Sequence, residues 1–272
     1  MRADAAAFSI ATGAARTLGL LVFLFMLVPI LAILPLSFTS GVELVYPLPS
    51  FSLRWYVDFF TRPEWLSSIR NSLIVGSGAT AIATVLGVFA ALGMTRLPRK
   101  ASNVVAVLMV LPMAVPVVIV AVAIYFFFAS IGLTGTFAGL ILAHSVLALP
   151  FVVISVRASL TGLDPHLAHA AASLGAPSSR VLLRVIAPLI LPGIATGALF
   201  AFAVSLDDVV VAMFVSGPGQ LTLPRQMFNG VRENISPTIL AAATLLVILS
   251  SLLMIATTRL AASSRAKSAP AL

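Results

Sequence analysis

The sequence predicts an all-helical integral membrane protein with six transmembrane helices, and three observations carry that prediction. The first is composition: of 272 residues, 60% are hydrophobic, only 9% are charged, and the mean hydropathy is +1.14. A soluble domain carries about 25% charged residues, so this chain could not cover its own surface with polar groups. The second is a set of six long, nearly uncharged runs. The third is the placement of the basic residues, which collect in alternate connections.

A hydrocarbon core of about 30 Å takes roughly 20 apolar residues in helical form, and only helices or closed barrels satisfy the backbone there. The runs that meet this requirement are 17–38, 72–94, 103–129, 137–156, 189–215 and 238–258. They are expected to form a single transmembrane domain over 1–272. The first follows Arg16 and resembles a leader in outline, but it is too long for a secretory apolar region and is taken as an uncleaved span. The connections leave no room for a separate catalytic domain. The absence of cysteine removes disulfides, zinc knuckles, iron-sulfur ligation and thiol nucleophiles together.

Six spans put both termini on one side of the membrane. Arg2, Arg16, Arg96, Arg99, Lys100, Arg157, Arg180, Arg184, Arg259, Arg265 and Lys267 fall on that side, eleven of the 16 basic residues. The positive-inside rule therefore places both termini on the cytoplasmic side. On the outer side Arg54, Arg62, Arg70, Arg225 and Arg232 are offset by Glu43, Asp58, Glu64 and Glu233. Scattered in this way, the positive charge encodes orientation and not nucleic-acid binding. Trp55, Tyr56, Phe59, Phe60 and Trp65 are expected to lie at the membrane surface on their ring faces.

Proline and glycine recur inside the spans, at Pro29, Pro35, Pro112, Pro116, Pro150, Pro192 and in the small-residue stretch 76–83. Close helix packing with mild kinks explains them, and so does a broken third span at Pro112 and Pro116 that lines a pathway.

The inner connection 157–188 is about thirty residues long, far longer than the other inner connection. Asp164 suits an N-cap, Pro165 an N1 position and Gly175 the C′ position of a short helix, with a second helical stretch from about Pro177 to Pro188. Such a projection, Ala-rich between His169 and Leu174, is built to dock into a partner.

The run His169-Ala170-Ala171-Ala172-Ser173-Leu174-Gly175, followed after nine residues by Val185-Ile186-Ala187-Pro188, resembles the EAA loop of ABC importer permeases. The family pattern is Glu-Ala-Ala, three residues, Gly, nine residues, Ile-x-Leu-Pro. Ala170, Ala171, Gly175 and Pro188 match with spacing intact; His169 stands where the family has Glu, and Ala187 where it has Leu. The resemblance implies the six-helix type I importer architecture. It assigns ATPase coupling to Asp164, His169, Ala170, Ala171, Leu174, Gly175 and Pro188. It also implies partners: a dimer of ATP-binding cassette subunits, a second permease subunit and a periplasmic substrate-binding protein, all around membrane lipid. The chain agrees in lacking a Walker A sequence, since neither Lys100 nor Lys267 follows a glycine. ATP is thus expected on a partner, with no cofactor, metal or catalytic residue here.

The fifth run contains the adjacent acids Asp207 and Asp208, after Ser205. A carboxylate at mid-membrane costs on the order of 3 kcal/mol, so such acids face a wet path or a protein-lined hydrogen-bonding site. Adjacent helical residues diverge by about 100°, so one of the two faces a path squarely. Together with Ser216-Gly217-Pro218-Gly219, Thr222-Leu223-Pro224 and Ser236-Pro237, the Ser-Leu-Asp-Asp segment resembles the spermidine/putrescine permease subfamily. That resemblance implies polyamine import with Ser205, Asp207 and Asp208 on the substrate path. Permeases for aminoalkylphosphonates, peptides or iron share the general pattern. An ion-coupled carrier would use the acids for protons or cations, and an intramembrane protease would pair Ser77 with His144.

Overall fold

The computed structural model describes the backbone of residues 2–233 and 236–268; the side chains of 1–11, 14, 165, 169, 233 and 261–268 lie outside the description. Twelve α-helices occur among the described residues. In order they are α1 (Arg2–Leu36), α2 (Arg54–Thr61), α3 (Pro63–Met94), α4 (Arg99–Val110), α5 (Val117–Ser130), α6 (Phe137–Thr161), α7 (Pro165–Ser173), α8 (Ser178–Val181), α9 (Ala187–Asp207), α10 (Val210–Val215), α11 (Leu223–Glu233) and α12 (Pro237–Ser268). Among the described residues five stretches are long and apolar enough to cross a membrane: Ala15–Leu36, Pro63–Met94, Phe137–Thr161, Ser178–Asp207 and Pro237–Leu260. The pair α4 and α5 makes a sixth span if its two arms are counted together.

Two of the expected runs are interrupted. The third bends by 96° between Met113 and Val117. A 3-10 turn over Leu111–Met113 and Pro116 at the N-cap of α5 mark the bend, because neither proline can donate to the helical ladder. The fifth run ends its helix at Asp207 and resumes at Val210.

The chain divides into two compact units. The first comprises residues 1–62 and 230–247. Its α1 has nothing buried along its apolar window. Below it an antiparallel bridge joins Thr39 and Phe51, braced by Arg54 donating to the Ser40 carbonyl at 2.9 Å and by Tyr56 sharing a 2.7 Å hydrogen bond with Ser37. Asp58 accepts from the Thr238 hydroxyl at 2.6 Å and pairs with Arg62. In α2, Trp55 and Phe59 stand four residues apart on one face and are almost fully buried, while Phe60 is 54% exposed. In the second unit Trp65 is also buried. Three of the five aromatic rings therefore pack into protein instead of resting on the membrane surface.

The second unit, residues 63–229 and 248–272, is organised on α3, α6 and α9, which pack on one another. Lipid tails are as apolar as leucine, so close backbone approach and interhelical hydrogen bonds drive this packing. A Cβ at Gly197 of α9 would sit 3.0 Å from Val152 Cα in α6. Ser155 of α6 donates to the Gly193 carbonyl of α9 at 2.8 Å. Ala83, Ala148, Val152, Val156, Ile190 and Ala201 fill one cluster between these helices. A second cluster, with Val75, Phe128, Leu140, Val211 and Val215, surrounds α10.

Candidate functional site

The break in the fifth run gives its two acids opposite surroundings. Asp208 is extended, with φ −72° and ψ 123°, between α9 and α10. Its carboxylate accepts from the Val211 N–H at 3.4 Å and the Ala212 N–H at 3.1 Å, donors left without an intrahelical partner by the break. Its side chain is only 7% exposed. Asp207, the last residue of α9, is exposed. The divergence expected of adjacent helical residues is thus enlarged by the change of backbone direction.

His144, about two turns into α6, completes the buried side of the break. It is fully buried, its Nδ1 lies 2.8 Å from Ser205 Oγ, and its Nε2 lies 3.6 Å from Asp208 Oδ2. The tautomer that suits both contacts has Ser205 donating to Nδ1 and the ring proton on Nε2, facing the carboxylate. Nε2 has no hydrogen-bond partner at this separation. The protease dyad is not assembled: Ser77 is exposed and donates to the Leu73 carbonyl at 2.6 Å, and the ring nitrogens of His144 are turned to Ser205 and Asp208.

The far end of α10 is held by a cation. Arg225 Nη1 donates to the carbonyls of Ala212 at 3.1 Å and Ser216 at 2.5 Å, and contacts Ser216 Oγ. Partial burial lowers its pKa from the usual arginine value. A six-residue helix thereby carries an acid at its N-terminal donors and a guanidinium at its C-terminal carbonyls, the arrangement that complements its dipole. Asn71 in α3 donates to the carbonyls of Gly219 and Leu221 at 3.1 and 3.0 Å, and Ser72 accepts from the Leu223 N–H at 2.7 Å. Sequence reasoning counted Arg225 only as an outer-face charge and passed over Asn71; a polar residue at the edge of an apolar run was the available signal for the latter.

In the long inner connection, Asp164 caps α7 by accepting from the His166 N–H at 2.9 Å. Gly175 has φ +81°, and the Gly175 N–H to Ala172 carbonyl bond (2.9 Å) and Ala176 N–H to Ala171 carbonyl bond (3.2 Å) close a Schellman motif. Leu174 is 89% exposed, Leu167 is 45% exposed, and Ala170 and Gly175 are exposed beside them. The His169 side chain lies outside the described residues. From α8 the chain passes through a π-helical turn, Leu182–Ile186, into α9. Pro188, which has no N–H to return to the preceding turn, follows it. A cavity of about 490 Å³ opens between α7 and the end of α3, lined among others by Phe89, Leu92, Arg96, Ala168, Ala172 and Ile186.

Residues 83–266, from α3 into α12, match the family described as binding-protein-dependent transport system inner membrane component. The chain belongs to that family. The permease is 35% identical over 235 residues to the putrescine transport system permease protein PotI of Escherichia coli, covering 84% of this chain and 83% of that one. It is 30% identical over 226 residues to the spermidine/putrescine transport system permease protein PotC of Haemophilus influenzae, covering 83% and 88%. The molybdenum transport system permease protein ModB of Mycobacterium bovis is more distant, 27% identical over 220 residues, 74% of this chain and 83% of that one. Among solved structures, a bacterial alginate ABC transporter superposes with a TM-score of 0.67 at 17% identity, covering 89% of this chain and 93% of the other. The inward-facing methionine transporter MetNI superposes at 0.58 and 19%, covering 73% and 95%. These establish the fold of ABC transporter permeases. The permease is an inner-membrane transport subunit and not itself an enzyme.

Proposed function

We propose that this permease imports polyamines, with energy from ATP hydrolysed on partner subunits. The observation that carries the reading is the exposed carboxylate of Asp207 at the break of the fifth span, in a stretch whose one other charged residue, Asp208, is turned into the protein. Polyamines bear two to four positive charges at neutral pH. A carboxylate on the path lowers their transfer cost and repels anions such as molybdate. The names of the 30–35% identical relatives support the same substrate class.

In this reading both termini are cytoplasmic and α7 is the coupling helix, its exposed Leu167, Ala170, Leu174 and Gly175 seating in a cleft of an ATP-binding subunit. Closure of the two ATP-binding subunits moves α7, and the π turn carries that movement into α9. The core of α3, α6 and α9 then tilts between inward and outward openings around a fixed path. A second permease subunit forms the other wall, and a periplasmic binding protein delivers the cargo.

Uptake of labelled putrescine and spermidine with and without the gene tests the reading, alongside purification of the tagged chain. Lost uptake with a co-purifying ATPase supports it. Unchanged uptake with the ATPase present discards the polyamine, and absence of any ATPase returns the ion-coupled carrier.

A further inference from the structure

His144 is unusual among the buried polar groups. It sits at full burial within a membrane helix, one ring nitrogen is occupied by Ser205, and the other points without a hydrogen bond at Asp208. All three groups belong to the same compact unit. The hydroxyl lies one turn before the break, the acid lies in it, and the histidine reaches both from a different helix. Two backbone donors take about half of the acceptor sites of this carboxylate, and the imidazole faces it at 3.6 Å, so its buried side is closed to a passing ammonium group. Its neighbour Asp207 keeps its own capacity on the exposed face.

We propose that His144 is a positioning residue for transport: with Ser205 it holds Asp208 inside the protein, so that the path presents one carboxylate instead of two. The inference rests on the polyamine reading and deepens it. One acid gives a multiply charged cargo a contact it can leave. Two adjacent acids would chelate a diamine and slow its release, since transport needs binding that is favourable enough to enter and weak enough to exit. Without the imidazole, Asp208 loses the interhelical contact that keeps it turned inward and swings to the side of Asp207.

The test combines kinetics with thiol labelling in the assembled transporter. His144→Ala is expected to lower both the KM and the maximal rate for putrescine, the rate by about tenfold, with normal membrane abundance. Adding Asp208→Asn, whose amide oxygen still caps α10, is expected to restore the rate to within about twofold of Asp208→Asn alone. A cavity left by the missing ring would not be repaired by neutralising a carboxylate, so rescue separates positioning from packing. Unaltered kinetics in His144→Ala, or no rescue in the double variant, overturns the proposal. Because the chain has no cysteine, Asp207→Cys and Asp208→Cys each introduce its single thiol. Position 207 is expected to react with a membrane-impermeant cationic thiosulfonate about tenfold faster than position 208, and equal rates overturn the proposal. The labelling needs no polyamine. Failed uptake in every background with ordered labelling would sink the substrate reading, whereas normal uptake with disordered labelling would sink the role of His144.

Discussion

Gly87 in α3 lies so close to Val152 in α6 that a Cβ built on it would stand 2.7 Å from Val152 Cγ1. Val152 also faces Gly197 of α9, so one valine is pinched between two glycines on two helices. The contact is the meeting point of the three helices that carry the second unit. Gly87→Leu is expected to force these helices apart at a cost of about 1–3 kcal/mol. Thermal unfolding of the detergent-purified protein should fall by several degrees, and an unchanged midpoint would show that the helices tolerate a wider gap.

Asp207→Asn removes the exposed charge and leaves the capping network of Asp208 untouched. Uptake of putrescine is expected to drop about tenfold, corresponding to about 1.4 kcal/mol at the rate-limiting passage, with normal insertion. Kinetics unchanged in Asp207→Asn and also in the double variant Asp207→Asn with Asp208→Asn would leave the pair with a purely structural role.

Ala170 and Gly175 are exposed on α7 and on the turn that ends it, and nothing lies within 4 Å of a Cβ at Gly175. Ala170→Asp therefore fits the isolated chain, and Gly175→Asp adds about 1 kcal/mol of left-handed backbone strain. Both variants are expected to insert normally and lose most uptake because a charge is buried at the ATPase cleft. Wild-type transport by both would remove the docking role from this helix.

Arg225→Met strips the cation from the carbonyls of Ala212 and Ser216. The Ala212 carbonyl keeps the Ser216 N–H at 3.1 Å and the Ser216 hydroxyl at 2.7 Å, whereas the Ser216 carbonyl loses its guanidinium donor, at a cost of about 1–3 kcal/mol. Faster amide exchange confined to 210–223 is the expected signature, and exchange equal to the wild type would show that water replaces the guanidinium without loss.

What the sequence determined by itself is whatever closes within a turn or two of backbone. The span count follows from hydropathy, because a bilayer imposes one length on every crossing helix. Asp164 and Gly175 delimit α7 as capping chemistry requires, since their partners lie two to five residues away. Pro112 and Pro116 marked the place where the third span bends, although a kink and a break look alike until the 96° angle is measured. The break after Asp207 carried a weaker mark: Asp208 caps α10 three and four residues on, but the contacts that bury its carboxylate come from another helix. His144 meets Ser205 across 61 residues and Asn71 meets Gly219 across 148, distances at which local propensity says nothing. Trp55, Phe59 and Trp65 read as surface rings because an aromatic residue near a membrane looks the same whether lipid or protein covers it. Only the tertiary structure decided which acid is buried and which is exposed, because the two share one composition and one neighbourhood in sequence and differ only in what packs against them.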